Sequence, residues 1–199
     1  FDLILHMRTR IIKSPAFNGD KILGAILFEQ TMERKIDDLY TSEYLWKKKN
    51  VVTFLKCDKG LDIEKNGVQL MKDIPNLDET LEKAVKYGVF GTKMRSVINH
   101  YNEKGIKDVV DQQFKIGLQI ASHGLVPIIE PETTITSEDR EKSEILLHDL
   151  IKEHLNNLDD NIKYPKIILL IMVIIVLANI GFIILLFFII IGVYFFIAI

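Results

Sequence analysis

Residues 51–59, VVTFLKCDK, indicate the fold most directly, because a short apolar run here ends abruptly in ionisable side chains. Three further runs share this design: Ile22–Glu29 (ILGAILFE), Val89–Arg95 (VFGTKMR) and Leu125–Glu132 (LVPIIEPE). Apolar runs of this length that contain β-branched residues are typical of strands buried in a parallel sheet. The sequence therefore predicts four buried strands that run in parallel.

Polar stretches with helical spacing separate these runs. The predicted helices are Ser42–Lys49, Leu77–Tyr87 with Asn76 or Asp78 as its N-cap, Ile106–His123, and Ser137–Leu158. Alternation of strand and helix predicts an α/β protein with a parallel sheet. An open doubly wound sheet and a closed eight-stranded barrel both fit the pattern. The first run is not followed by G-x-G-x-x-G, which weighs against a dinucleotide-binding domain.

The ends of three consecutive strands carry paired charges. Because side chains alternate between the two faces of a strand, the residues of each pair lie on one face. The pairs are Lys56 with Asp58, Lys93 with Arg95, and Glu130 with Glu132. A single pair at a strand end is usually a solvated loop, but three in register are harder to dismiss. In a barrel they would converge on one mouth, where active sites lie.

Composition narrows the functional classes. The 25 basic and 27 acidic residues nearly balance, so no nucleic-acid partner is expected. Cys57 is the single cysteine, which excludes an internal disulfide, and it is predicted to pack toward the helices. The five histidines have no metal-site spacing and are expected on the surface or on helices. The opening residues, FDLIL, predict the middle of a helix rather than a secretory leader.

The last part of the chain differs sharply from the rest. Residues 167–199 contain no charged side chain. This stretch is longer than the roughly 20 apolar residues that a helix needs to span a bilayer. One interpretation is a membrane anchor, with Lys163 and Lys166 on its cytoplasmic side. The other is the product of a frameshift in an AT-rich gene. We divide the chain into residues 1–162, a partial barrel, and residues 163–199, an apolar helix-like tail.

Several of these motifs together resemble class I fructose-bisphosphate aldolases of the bacterial type, over residues 1–160. The motifs are HMRTRIIKSPAF (His6–Phe17), LGAILFEQTM (Leu23–Met32), FLKCDKG (Phe54–Gly60), NGVQLMK (Asn66–Lys72), FGTKMRS (Phe90–Ser96), GIKDVVDQQF (Gly105–Phe114) and GLVPIIEPE (Gly124–Glu132). The resemblance implies a TIM barrel that cleaves fructose 1,6-bisphosphate through a lysine Schiff base, a glycolytic lyase reaction that needs no cofactor and no metal. It also implies a cytoplasmic protein and is compatible with a homo-oligomer.

The resemblance assigns roles to the charged pairs. Glu130 matches the glutamate that moves protons during Schiff-base chemistry, and Lys93 matches a lysine that assists at the same carbon. Lys56 matches a lysine that holds the bisphosphate, with Arg95 nearby. Asp58 and Glu132 are the expected supporting carboxylates, Glu132 acting electrostatically on the lysines.

Departures from the family pattern concern the nucleophile and the first strand. The family's first strand, with its aspartate, has no counterpart here, and no Leu-Lys strand follows Leu158, so the Schiff-base lysine is absent from the matched motifs. The expected partial TIM barrel thus has about four of eight strand–helix units. We predict that the chain is an incomplete copy, inactive by itself. The alternatives are a non-catalytic membrane-tethered aldolase-like protein and, more weakly, a different sugar-phosphate lyase on the same barrel.

Overall fold

The computed structural model describes residues 2–158 and 195–198. Within them, six strands form the main sheet: β1 (Ile22–Leu27), β4 (Val52–Lys56), β5 (Val68–Gln69), β6 (Gly91–Ile98), β7 (Val126–Thr133) and β8 (Phe195–Ala198). A separate hairpin contains β2 (Lys35–Ile36) and β3 (Leu39–Tyr40). The described helices are α1 (Asp2–Lys13), α2 (Glu29–Met32), α3 (Thr41–Lys49), α4 (Leu77–Lys86), α5 (Glu103–Ser122) and α6 (Arg140–Asn156).

The order of the strands distinguishes between the two candidate architectures. β1, β4, β6 and β7 are parallel neighbours in the same order as in the chain. A doubly wound sheet reverses its strand order at a switch point, whereas a barrel adds each new strand on the same side. The four predicted strands therefore form, and they wind in one direction as in a barrel. β5 is a short addition, antiparallel to the end of β6.

The four predicted helices also form: α4 starts at Leu77 as predicted, and the other three have shifted starts. α5 begins three residues earlier than predicted, because the Asn102 side chain caps it by accepting a hydrogen bond from the Gly105 N–H at 2.9 Å. α6 begins at Arg140 because Ser137 belongs to a turn, in which its N–H donates to the Thr134 carbonyl. Asn76 precedes α4 as predicted, but it has a left-handed backbone and no side-chain capping bond.

The sheet has two different faces. The main core lies between the sheet and the helices, and it includes Leu55 and Cys57 of the second predicted run. Burial raises the pKa of the Cys57 thiol to about 12, as expected for a packed thiol. The opposite face carries a small apolar cluster of Phe54, Val126 and Ile128. Alternation along β4 then places Lys56 on the same face as Phe54.

The predicted helix-like tail needs a correction in the part that the structure describes. Residues 163–194 and 199 lie outside the described residues, whereas Phe195–Ala198 form strand β8, parallel to the outer edge of β1. Aromatic and β-branched residues favour strands, and a sheet edge offers unpaired backbone groups to such a segment. Among the described residues, no helix is long and apolar enough to cross a membrane.

The outer edge of β7 is poor in hydrogen-bond donors. The Val126 N–H donates to the Phe90 carbonyl and the Thr134 N–H to the Ile98 carbonyl, so the N–H groups of even-numbered residues face β6. The backbone groups of odd-numbered residues therefore point toward the outer edge of β7. Two of these residues are Pro127 and Pro131. Proline has no N–H to donate, so this edge limits which strands can pair with it.

We predict that Gly91→Ala destabilises the sheet at the start of β6, the strand that carries Lys93 and Arg95. A Cβ at this position would clash with the Val126 carbonyl oxygen and lie 2.8 Å from the Phe54 ring. Such overpacking costs about 1–3 kcal/mol, which urea unfolding would measure. Gly117→Ala in α5 is the control, because its Cβ would meet the flexible side chains of Ile129 at 3.2 Å and Met94 at 3.8 Å and no backbone atom. Equal stability of the two variants would contradict the predicted clash.

Candidate active site

The register of β4, β6 and β7 brings the predicted lysines and the glutamate together. Lys56 of β4 is the direct register partner of Lys93 of β6. Arg95, two residues further along β6, is the register partner of Glu130 on β7. Lys93 forms an ion pair with the Glu130 carboxylate across these strands. The structure thus brings all three residues together on the face opposite the helices. Lys56 ends β4, whereas Lys93 and Glu130 lie within β6 and β7, which continue beyond the predicted ends to Ile98 and Thr133.

Lys56 is anchored by the carboxylate that follows it. Its ammonium donates to Asp58 Oδ1 at 2.5 Å and to the Asp58 carbonyl at 3.2 Å. Asp58 is buried, and its Oδ1 also accepts a hydrogen bond from the Gly60 N–H at 3.1 Å. The Lys56 side chain keeps 29% of its surface exposed. Its position is therefore fixed while the ammonium stays accessible to a ligand.

The Lys93–Glu130 pair is less accessible to water. The two side chains are 16% and 19% exposed. Burial raises the pKa of the Glu130 carboxyl above its usual value of 4.5, and the hydrogen bond and positive charge of Lys93 only partly oppose this rise. A carboxyl group with a raised pKa exchanges protons more readily near neutral pH than an ordinary glutamate.

An apolar cluster lies on the same sheet face as Glu130. Val126 and Ile128 precede Glu130 on the same face of β7, and Phe54 precedes Lys56 on β4. Phe54 also packs edge-on against Phe90, with ring centroids 5.7 Å apart. These side chains form an apolar floor (Phe54, Val126 and Ile128) beneath the charged groups. Charged groups interact more strongly above such a floor than in open water.

Arg95 and Glu132 form the outermost pair. The guanidinium donates to Glu132 Oε2 at 3.0 Å, and both side chains are about half exposed. Glu132 therefore pairs with the arginine rather than with either lysine. Its negative charge contributes to the raised pKa of Glu130, whereas the Arg95 charge opposes that rise. The expected electrostatic support of the lysines is thus indirect.

Sequence reasoning missed the hairpin that follows β4 and contains β5. Residues 57–72, which we call the rim loop, contain the Asn66–Gly67 turn and run back along the end of β6. The Asn-Gly dipeptide, a strong hairpin signal, could have revealed this turn. Within the described part of the chain, no group of three or more His, Cys, Asp or Glu side chains is arranged to hold a metal ion.

Comparison with protein families identifies the fold and the motifs. The family model described as glycolytic, fructose-bisphosphate aldolase class-I, matches residues 5–176. This chain belongs to the class I fructose-bisphosphate aldolase family. The match ends inside the apolar stretch that begins at Ile167, so the division of the chain at residue 162 stays a prediction.

Relatives in this aldolase family include three bacterial proteins, each named fructose-bisphosphate aldolase class 1. The protein from Clostridium acetobutylicum is 61% identical over 163 residues, which are 82% of this chain and 55% of that protein. The protein from Porphyromonas gingivalis is 58% identical over 147 residues, or 74% and 50% of the two chains. The protein from Synechocystis sp. is 55% identical over 158 residues, or 79% and 53%. The chain therefore spans about half the length of the relatives it matches.

A solved structure supports the aldolase fold independently. It is the fructose-bisphosphate aldolase of Plasmodium falciparum, crystallised with TRAP and a small-molecule inhibitor. The TM-score is 0.53 at 20% sequence identity, and the match covers 74% of this chain and 52% of that one. At this identity the likeness concerns the fold alone. It confirms the prediction that this chain forms part of a TIM barrel.

We predict that Lys93→Met destabilises the protein more at pH 8 than at pH 5. Loss of the ammonium leaves an unpaired carboxylate above the apolar floor, at a cost of about 1–3 kcal/mol. Because the folded-state pKa of Glu130 is raised, the folded protein holds this proton more tightly than the unfolded chain. Protonation at low pH therefore relieves the cost, and stability falls as pH rises through that pKa.

Urea unfolding at the two pH values tests this prediction. The double variant Lys93→Met/Glu130→Gln is the matched control, because it removes the titrating carboxyl and should lose the pH dependence. An equal loss of stability at pH 5 and pH 8 in the single variant would show that Glu130 does not bear the unpaired charge.

Proposed function

We propose that the sheet face carrying Lys56, Lys93 and Glu130 is the sugar-bisphosphate site of a Schiff-base aldolase, which cleaves fructose 1,6-bisphosphate into dihydroxyacetone phosphate and glyceraldehyde 3-phosphate. Membership of the family and the names of the relatives support this reaction. The observation that carries the proposal is the partly desolvated Lys93–Glu130 pair beside the anchored ammonium of Lys56. A cytoplasmic, glycolytic role and a homo-oligomeric form belong to the same proposal, on the strength of the family alone.

Lys56 and Arg95 are the proposed phosphate ligands. Both side chains stay partly exposed, and each is held by a carboxylate, from Asp58 and Glu132 respectively. Charge-assisted hydrogen bonds from lysine and arginine to phosphate are among the stronger polar contacts in proteins. Anchoring these cations in the free protein reduces the side-chain entropy that ligand binding would otherwise cost.

Lys93 and Glu130 are the proposed proton-transfer pair. When a lysine amine and a ketone form an iminium, the ketone oxygen leaves as water, which requires a proton delivered to that oxygen. The raised pKa of the Glu130 carboxyl suits this delivery, as well as the reverse proton removal when the iminium is hydrolysed. The Lys93 ammonium stabilises negative charge on the leaving oxygen and on the Glu130 carboxylate.

The nucleophilic lysine remains unassigned in this chain. After Leu158 the sequence contains two lysines, Lys163 and Lys166, which lie outside the described residues. Neither occupies a Leu-Lys motif of the type the family places there. We therefore propose that the chain binds the sugar phosphate but forms no Schiff base by itself.

We predict that fructose 1,6-bisphosphate binds to the full chain and that Lys56→Met weakens binding. Loss of one charge-assisted hydrogen bond corresponds to about a tenfold rise in the dissociation constant, which titration calorimetry would measure. Lys59→Met is the matched control, because Lys59 lies three residues away and pairs with Glu29 at 3.2 Å. Equal affinities for fructose and its bisphosphate, or equal effects of the two variants, would contradict the proposed phosphate site.

We also predict that borohydride reduction in the presence of dihydroxyacetone phosphate produces no covalent adduct on this chain. Borohydride traps an iminium as a stable secondary amine, so intact-mass spectrometry would detect any Schiff base that forms. A class I aldolase that retains its nucleophile serves as the positive control. An adduct mapped to Lys163 or Lys166 would instead show that the chain supplies its own nucleophile.

A further inference from the structure

The rim loop, residues 57–72, is a hairpin whose base lies beside the Lys56 anchor. Its arms are joined by hydrogen bonds from the Asp62 N–H to the Leu70 carbonyl at 2.8 Å and from the Lys72 N–H to the Gly60 carbonyl at 3.0 Å. The Gly60 N–H in turn donates to Asp58 Oδ1, the oxygen that also accepts from Lys56. The returning arm is thus connected to the Lys56 anchor through Gly60 and Asp58.

The tip of the rim loop is attached to the end of β6. Asn66 and Gly67 form its turn with left-handed backbones, at φ 53° and 70°. The Gly67 carbonyl accepts hydrogen bonds from the Asn99 N–H at 2.8 Å and the His100 N–H at 3.0 Å. A Cβ on Gly67 would lie 2.8 Å from the His100 carbonyl oxygen, so this attachment requires close approach of the two backbones.

The base of the rim loop is attached to α5 by one side chain. The Met71 N–H donates to Gln112 Oε1 at 2.9 Å, and Gln112 Nε2 donates to the Met71 carbonyl at 2.9 Å. The amide thereby pairs with both backbone groups of one residue, as a neighbouring strand would. Met71 is the residue immediately before Lys72, whose N–H closes the base of the hairpin on Gly60.

We infer that Gln112 is a positioning residue for Lys56. By holding Met71 against α5 it fixes the Lys72–Gly60 contact, which keeps Asp58 where it pairs with the Lys56 ammonium. Only a side chain that both donates and accepts can form the two hydrogen bonds to Met71. The terminal amide of glutamine meets this condition, and its side chain is long enough to reach Met71 from α5. The inference rests on the proposed function in one respect, that Lys56 binds the phosphate.

Competitive labelling with acetic anhydride tests this role on the full chain without an activity assay. We expect Gln112→Ala to raise the acetylation rate of Lys56 by about two- to tenfold, which corresponds to the loss of a hydrogen-bonded anchor. Peptides produced by a protease that does not cleave at lysine, analysed by mass spectrometry, would give the rate for each lysine. Lys93 is the internal reference, because its ammonium pairs with Glu130, which lies on β7 and outside the rim loop.

Two further variants separate positioning from general loosening. Gln119→Ala removes another glutamine of α5, one that donates to Asp78 instead, and should leave Lys56 labelling unchanged. Gln112→Glu keeps the acceptor for the Met71 N–H but loses the donor, and should give a rate between those of wild type and Gln112→Ala. Wild-type Lys56 labelling in folded Gln112→Ala, or an equal rise at Lys56 and Lys93, would overturn the inference.

Fructose 1,6-bisphosphate in the same labelling experiment tests the proposed function separately. Protection of wild-type Lys56 by the bisphosphate supports phosphate binding at this site. No protection would refute the proposed phosphate site, and the comparison of Lys56 rates between wild type and Gln112→Ala would still decide whether Gln112 anchors the rim loop.

Discussion

The strand register that places Lys56 directly beside Lys93 is the constraint on which the site depends. Like charges on paired residues of adjacent strands repel each other, so the sheet is stable only if carboxylates compensate them. Asp58 does this for Lys56 and Glu130 for Lys93. The same arrangement concentrates positive charge at one rim of the sheet. An anionic ligand can bind there when the two ammonium groups contact the ligand as well as their carboxylates.

The apolar floor converts this charge arrangement into a potential acid–base pair. Phe54, Val126 and Ile128 lie on the same sheet face as Glu130, and burial of that carboxyl outweighs the attraction of Lys93 in setting the direction of its pKa shift. Gly91 permits this packing, since any side chain there would clash with Phe54 and the Val126 carbonyl. Packing and proton chemistry are therefore linked through a few residues of β4, β6 and β7.

Much of this arrangement was predictable because it follows from strand periodicity. Four apolar runs gave the parallel strands, and the period of two placed Lys56, Lys93 and Glu130 on one face. Strand order was not predictable from periodicity, since an open sheet and a barrel share the pattern. The pairing of Glu132 with Arg95 was not predicted either, because side-chain pairing across β6 and β7 depends on register. The Gln112–Met71 contact joins residues distant in sequence and leaves no local signal.

Titration of Glu130 by ¹³C NMR of its labelled side-chain carboxyl tests the central claim most directly, namely that the lysines and the glutamate share one partly desolvated rim. The account predicts a pKa above the ordinary value of 4.5 and a further rise in Lys93→Met. An ordinary pKa that is indifferent to the loss of Lys93 would contradict it, because Glu130 would then be a solvated carboxylate with no tie to the lysines.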